Sequence, residues 1–222
     1  MGRLKVLLLI GGGVLAFFGY QEFKLGNDAS QTPVAVDLAK LESGEPLPNV
    51  HVKVGEHLCI YTASVYRYKT SSSGEEATAS SRVEFAYFPI ISQEHPWFEE
   101  ARTVIARHGG EVDAVPEKEW PEIKQFAVLV KTSTRFPTVG SIPDEWGEGE
   151  TVSGLVINRV KKLSGEERDL VQQSFPKLDL EKVLILEEGR RPKSTAASLS
   201  MAGGGALLAM VGLISLVAGA RN

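Results

Sequence analysis

The stretch AASLSMAGGGALLAMVGLISLVAGA, Ala196 to Ala220, contains no charged side chain. At a rise of ~1.5 Å per residue, a helix over it is roughly 37 Å long, more than the ~30 Å hydrocarbon core of a bilayer. To bury such a helix in water, a protein must surround it with apolar partners on every side, which is rare. We therefore read residues 196–220 as a C-terminal transmembrane helix. The rest of the chain is then expected to fold as something tethered to a lipid bilayer.

The small residues of this segment are regularly placed. Ser198, Ala202, Gly205, Ala209, Gly212 and Gly219 follow steps of three and four, interrupted only at Leu216. On a helix they form one stripe, along which a second helix approaches closely. Membrane helices gain contact energy this way, because lipid is as apolar as leucine. Leu207, Leu208, Val211, Ile214 and Val217 are left for the lipid side.

The first partner expected for that stripe is the other apolar end. Arg3 and Lys5 precede an unbroken apolar run from Val6 to Tyr20, with Gly11, Gly12, Gly13 and Ala16 inside it. Counting Leu4 and a snorkelling Lys5, residues 4–22 suffice for an N-terminal transmembrane anchor. A cleavable signal peptide begins in the same way. It should close on small residues, however, and Phe17, Phe18, Tyr20 and Phe23 stand there, so an uncleaved signal-anchor is preferred. A homo-oligomer through the C-terminal helix is the rival to packing of the two spans. Two spans place both termini on one side. Arg3 and Lys5 argue for a cytoplasmic side and an extracytoplasmic central domain, while Arg190, Arg191 and Lys193 pull the other way.

Between the ends, residues 23–36 read as a linker and residues 37–193 as a soluble domain. VDLAKLESG suggests a short helix ending near Gly44. HVKV and HLCIYTASVYRYK are strand-like, and TSSSGEEATASS is a low-complexity polar loop. RVEFAYFPII is a strand that Pro89 should limit. A helix is expected from Pro96 to His108, and another opens on the capping box Ser164 to Glu167. FAVLVKTS, TVSGLVINRV and KVLILEE complete the strands. The order lacks regular βαβ alternation. The expected fold class is α+β, a single mixed or antiparallel sheet with two or three helices, flanked by the two transmembrane helices.

Chemistry is harder to find. A formal net charge of −4 and the lack of a basic cluster exclude a nucleic-acid partner. Cys59 is the only cysteine, so neither an internal disulfide nor a thiolate zinc module is available. His57 and Cys59 would share a strand face near His51, but two donors do not make a metal site. Arg107-His108-Gly109 resembles the opening of the histidine-phosphatase motif only superficially, since it closes a helix and the remaining pattern is missing. DEWGEGE, Asp144 to Glu150, lacks the spacing of a calcium loop and reads as an acidic surface loop. His95, His108 and Trp146 are the weak candidates for a site in the domain. No cofactor and no metal are expected.

The span–domain–span layout resembles, in layout alone, that of membrane-bound mitochondrial ubiquitin ligases and of some nuclear-envelope proteins; no cysteine-rich RING follows the second span, no motif matches, and no family follows from it. The function expected from sequence is a non-enzymatic, membrane-tethered accessory or scaffolding protein with an unknown protein partner. Two alternatives are a membrane-anchored enzyme of unrecognised type and a membrane-proximal module binding a small ligand or lipid.

Overall fold

A computed structural model describes residues 2–69, 76–123, 125–159 and 163–220. It separates into two compact units, one of which holds both apolar ends together with residues 49–51. The other holds residues 33–48 and 52–190.

In the first unit, helix α1 spans Gly2–Asp28 and a second long helix spans Thr195–Ala220. Both are long and apolar enough to cross a membrane, with mean hydropathies of 1.6 and 2.0 over their apolar windows. Only 11% of either window is buried, and large side chains such as Leu7, Ile10, Leu207 and Ile214 are exposed. The first helix is longer than the sequence suggested, and six residues of the expected linker, 23–28, belong to it. Its apolar character fades after Tyr20, but Glu22, Lys24 and Leu25 are good helix formers and carry the hydrogen-bonded spiral on. The end is pinned from outside. Asn49 Oδ1 accepts from the backbone N–H of Ser30 at 3.0 Å and of His51 at 2.9 Å. The buried His51 ring places Nδ1 2.7 Å from the Ser30 carbonyl.

The second unit is a curled, mixed sheet of nine strands among the described residues, with three short helices. In chain order these elements are β1 (Val34–Val36), α2 (Leu38–Glu42), β2 (His51–Val54), β3 (His57–Ile60), β4 (Val65–Tyr68) and β5 (Val83–Ile91). There follow α3 (Trp97–Arg107), β6 (Val128–Thr132), β7 (Trp146–Gly149), β8 (Val152–Val156), α4 (Gly165–Ser174) and β9 (Leu184–Glu188), before the long helix α5 (Thr195–Ala220). The spatial order is β1-β2-β8-β9-β6-β5-β3-β7, with β4 beside β5. The β1–β2 and β6–β9 pairs are parallel, whereas β3–β5, β3–β7, β4–β5, β5–β6 and β8–β9 are antiparallel. The chain is thus α+β, with a mixed sheet larger than the sequence suggested.

Alternation of side chains explains the packing. Ala86, Phe88 and Ile90 of β5 meet Val128 and Val130 of β6 and Leu184 and Leu186 of β9 in one apolar core, which α2 closes with Leu38 and Leu41. The opposite face carries Tyr87, Leu129 and Ile185, all fully buried. Helix α4 lies on that face, since its Glu167 reaches the hydroxyl of Tyr87 at 3.0 Å.

Several details differ from expectation. Pro89 does not end its strand, which continues to Ile91. Pairing of β5 with β4 stops at Tyr87 and pairing with β3 starts at Ile90, so on that side the missing N–H removes no ladder bond. Val34–Val36, read as linker, is an edge strand along β2. Much of DEWGEGE is not a loop but the edge strand β7, paired with β3 from Ile60↔Trp146 to His57↔Gly149. Part of the expected polar loop, residues 70–75, lies outside the described residues.

Candidate functional site: a glycine seam and a tryptophan cleft

The two long helices run antiparallel and touch through their smallest residues. A Cβ added at Gly12 would stand 2.7 Å from the Gly205 carbonyl oxygen, and one at Gly205 would stand 2.7 Å from that of Gly12. A Cβ at Gly19 would fall 2.7 Å from Ala202 Cα, and one at Gly212 would fall 2.6 Å from Leu9 N. Real Cβ atoms do not come that close, so the backbones meet only because glycine stands at each crossing. Close approach of this kind yields dense van der Waals contact and favours Cα–H···O contacts. The seam alternates steps of four and three on both helices, through Lys5, Leu9, Gly12, Ala16 and Gly19 on α1 and through Ala202, Gly205, Ala209 and Gly212 on α5. A period of 3.5 residues is that of a left-handed supercoil.

Polar ties close the seam at both ends. Lys5 Nζ donates to the Ser215 carbonyl at 2.7 Å. Lys193 lies 3.9 Å from Glu22, and its carbonyl oxygen is 2.8 Å from where a Cβ on Gly26 would sit. Of the glycines singled out by sequence, Gly11 and Gly13 face away from the seam, with nothing within 4 Å of a Cβ placed on either. In a run of three glycines only one can lie on a given helix face, and that one is Gly12. The side of Gly219 lies outside the described residues. Gly19 and Gly26 were missed, although they repeat Gly12 at intervals of seven.

In the domain, Trp146 belongs to a cleft of about 960 Å³. All three tryptophans of the chain border it, each from a different segment. Trp97, at the first turn of α3, is 7% exposed and donates from Nε1 to the Pro121 carbonyl at 2.8 Å. Trp120 stacks on it with an interplanar angle of 17° and ring centroids 6.2 Å apart. Trp146 stands 6.3 Å from each of them and is 41% exposed. Glu122, Asp144, Glu145 and Lys177 line the same cleft.

The two weak histidine candidates do not join Trp146 there. His95 accepts the Trp97 N–H on Nδ1 at 3.1 Å and places Nε2 3.1 Å from the Gln125 carbonyl, which fixes the start of α3. His108 pairs with Glu119 at 3.0 Å beyond the other end of that helix. Its neighbours Gly109 and Gly110 have positive φ, as a helix stop requires.

Two further polar clusters serve the fold. In the first, Glu167 receives Lys131 at 2.5 Å, the Tyr87 hydroxyl and the Ser164 hydroxyl at 2.8 Å. The expected capping box is formed. Burial opposes the charge, but the Lys131 and Ser164 hydrogen bonds prevail and hold the carboxyl at about 2, against an ordinary 4.5. Because the folded value is depressed, the stabilisation is complete above the unfolded value and is lost as pH falls through about 2. Glu167 should therefore account for on the order of 2 kcal/mol of the weakening in urea stability between pH 6 and pH 2, and Glu167→Gln should reduce the wild-type dependence by about that amount.

The second cluster joins Arg135 to Glu188 and to the Tyr61 hydroxyl, the latter at 3.1 Å. The hydrogen bond to Glu188 pushes the guanidinium further toward its charged form. Burial works against the Glu188 charge, yet the bonds from Arg135 and Thr132 hold its carboxyl below the ordinary range. Cys59 is fully buried beside them. Burial pushes its thiol up, away from the reactive thiolate, with a hydrogen bond to Tyr61 opposing. Burial pushes the His57 imidazole down, and its Nδ1 lies 2.7 Å from the Gly55 carbonyl. The ring also fills the space beside Gly149, so a side chain there would displace it. Among the described residues no group of three or more His, Cys, Asp or Glu side chains could hold a metal ion.

These features define a class by architecture alone: a mixed-sheet α+β domain between two long apolar helices. No family model, curated protein or solved structure matches the chain.

Proposed function

We propose that the protein is a membrane-tethered, non-enzymatic accessory or scaffolding component of a membrane complex. In this reading α1 and α5 cross the bilayer together as one antiparallel hairpin-like pair, and the sheet domain is held at the membrane surface. The observation that carries it is the pair itself. A glycine stands at each close crossing of the seam, and large apolar side chains such as Leu7, Ile10, Leu207 and Ile214 are exposed, where only lipid satisfies them. The polar clusters of the domain support a structural role, since their carboxylates are engaged by Lys131, Ser164, Arg135 and Thr132. Both termini lie on the cytoplasmic side and the domain is extracytoplasmic, an orientation that rests on Arg3 and Lys5 ahead of α1.

Two experiments test the reading. In the first, Glu76→Cys supplies one exposed thiol, and the buried Cys59 leaves the wild-type chain as a blank. An impermeant maleimide should label intact cells or organelles carrying Glu76→Cys, whereas labelling only after lysis reverses the orientation. In the second, purification in mild detergent should recover the chain with a stoichiometric partner. Recovery as a lone monomer overturns the scaffolding role.

A further inference from the structure

The tryptophan cleft has a chemistry that the tethering role does not use. Trp97 is explained by the fold, because it is buried and its indole N–H is satisfied. Trp146 is not explained in this way. Trp146 is 41% exposed, and it borders the cleft together with Trp97 and Trp120. The three rings arrive from α3, from the segment after it and from β7, so their convergence is a tertiary arrangement and not a local sequence accident. The cleft volume of about 960 Å³ matches that of small-molecule sites.

The sign of the site follows from its rim. Glu122, Asp144 and Glu145 set three carboxylates against the single ammonium of Lys177, so an anion is repelled. A hard divalent cation is poorly served, because among the described residues no three His, Cys, Asp or Glu side chains stand together to hold one. An alkylated ammonium fits both features. Its methyl groups pack on indole faces, its diffuse charge is attracted by the ring quadrupoles, and the carboxylates supply the countercharge without stripping it of water. We propose that this cleft binds a quaternary ammonium group of the choline type, held over Trp146 and Trp120 and balanced by Glu122, Asp144 and Glu145. The ligand is either a choline-bearing solute or a phosphocholine lipid headgroup, and the two share this chemistry.

The test uses the full chain in nanodiscs. Every tryptophan borders the cleft, so intrinsic emission reports occupancy directly. In discs of phosphatidylglycerol, which carries no choline, added choline or tetramethylammonium should shift the emission along a saturable curve. The neutral isostere 3,3-dimethylbutan-1-ol should bind at least tenfold more weakly. Trp146→Ala should weaken choline binding about tenfold, as expected for loss of one cation–π face. The surface variant Glu122→Gln/Asp144→Asn/Glu145→Gln, which leaves the buried core untouched, should do the same. In discs of phosphatidylcholine, loss of the response to added choline identifies the lipid headgroup as the occupant, and a retained response identifies a solute. Absence of a saturable response in phosphatidylglycerol discs, or equal binding of the neutral isostere, overturns the proposal. The outcome does not depend on the orientation of the domain, so the two readings fail separately.

Discussion

Replacing Gly205 with leucine should destabilise the helix pair by about 3 kcal/mol, the upper end of what overpacking a filled interface costs. A Cβ there would lie 2.7 Å from the Gly12 carbonyl oxygen and 2.8 Å from Ala16 Cα, both backbone atoms that cannot rotate away. The helices must separate, and contacts on both sides of the crossing loosen with them. Gly203 supplies the control from the same helix, since it is exposed and a Cβ there meets nothing within 4 Å. Gly203→Leu should be neutral or gain up to about 0.8 kcal/mol through helix propensity. Reversible unfolding in mixed micelles with increasing SDS reads both changes. Equal effects of the two substitutions would mean that the seam is not the contact surface.

The domain has its own sensitive point at Phe88. The ring is 1% exposed, packs on Tyr61 with centroids 5.1 Å apart and meets the edge of Phe136 at 5.9 Å. The Arg135 guanidinium carbon lies 5.5 Å over its face. Phe88→Ala should therefore cost about 4 kcal/mol, from lost transfer energy, a cavity in the centre of the core and the aromatic contacts. It should also loosen the Arg135–Glu188 pair, which rests on that ring. A domain at the low end of ordinary stability, ~5 kcal/mol, would then be near its limit. Urea unfolding followed by far-ultraviolet dichroism measures the loss. Phe88→Leu, which refills most of the space, should recover more than half of it.

Sequence reading captured features written locally. The helix start at Pro96, the capping box of α4 and the strand-like run of β5 each need only a few neighbouring residues, and all three elements form. The small-residue stripe on α5 was legible because its period is helical and its alphabet is narrow. On α1 the glycine triplet drew attention away from Gly19 and Gly26, whose spacing from Gly12 was the better signal. Strand β7 escaped because Gly147, Glu148 and Gly149 have low strand propensity, and its pairing with β3 is decided by tertiary contact. The end of α1 escaped because hydrophobicity marks where a helix stops facing lipid, not where its backbone bonds stop. The tryptophan cleft was half visible. Trp146 stood out among its carboxylates, but nothing in the chain near it announces Trp97 or Trp120, which only the fold brings within 6.3 Å.

The central claim is that α1 and α5 cross a bilayer as one pair with their outer faces in lipid. Nitroxide labels at Val14 and Leu208, both exposed on those helices, test it in reconstituted vesicles. The account predicts frequent collisions with dissolved oxygen and few with a water-soluble nickel chelate at both positions, as for side chains near the bilayer centre. Ready collision with the nickel chelate at either position would place that helix in water and contradict the account.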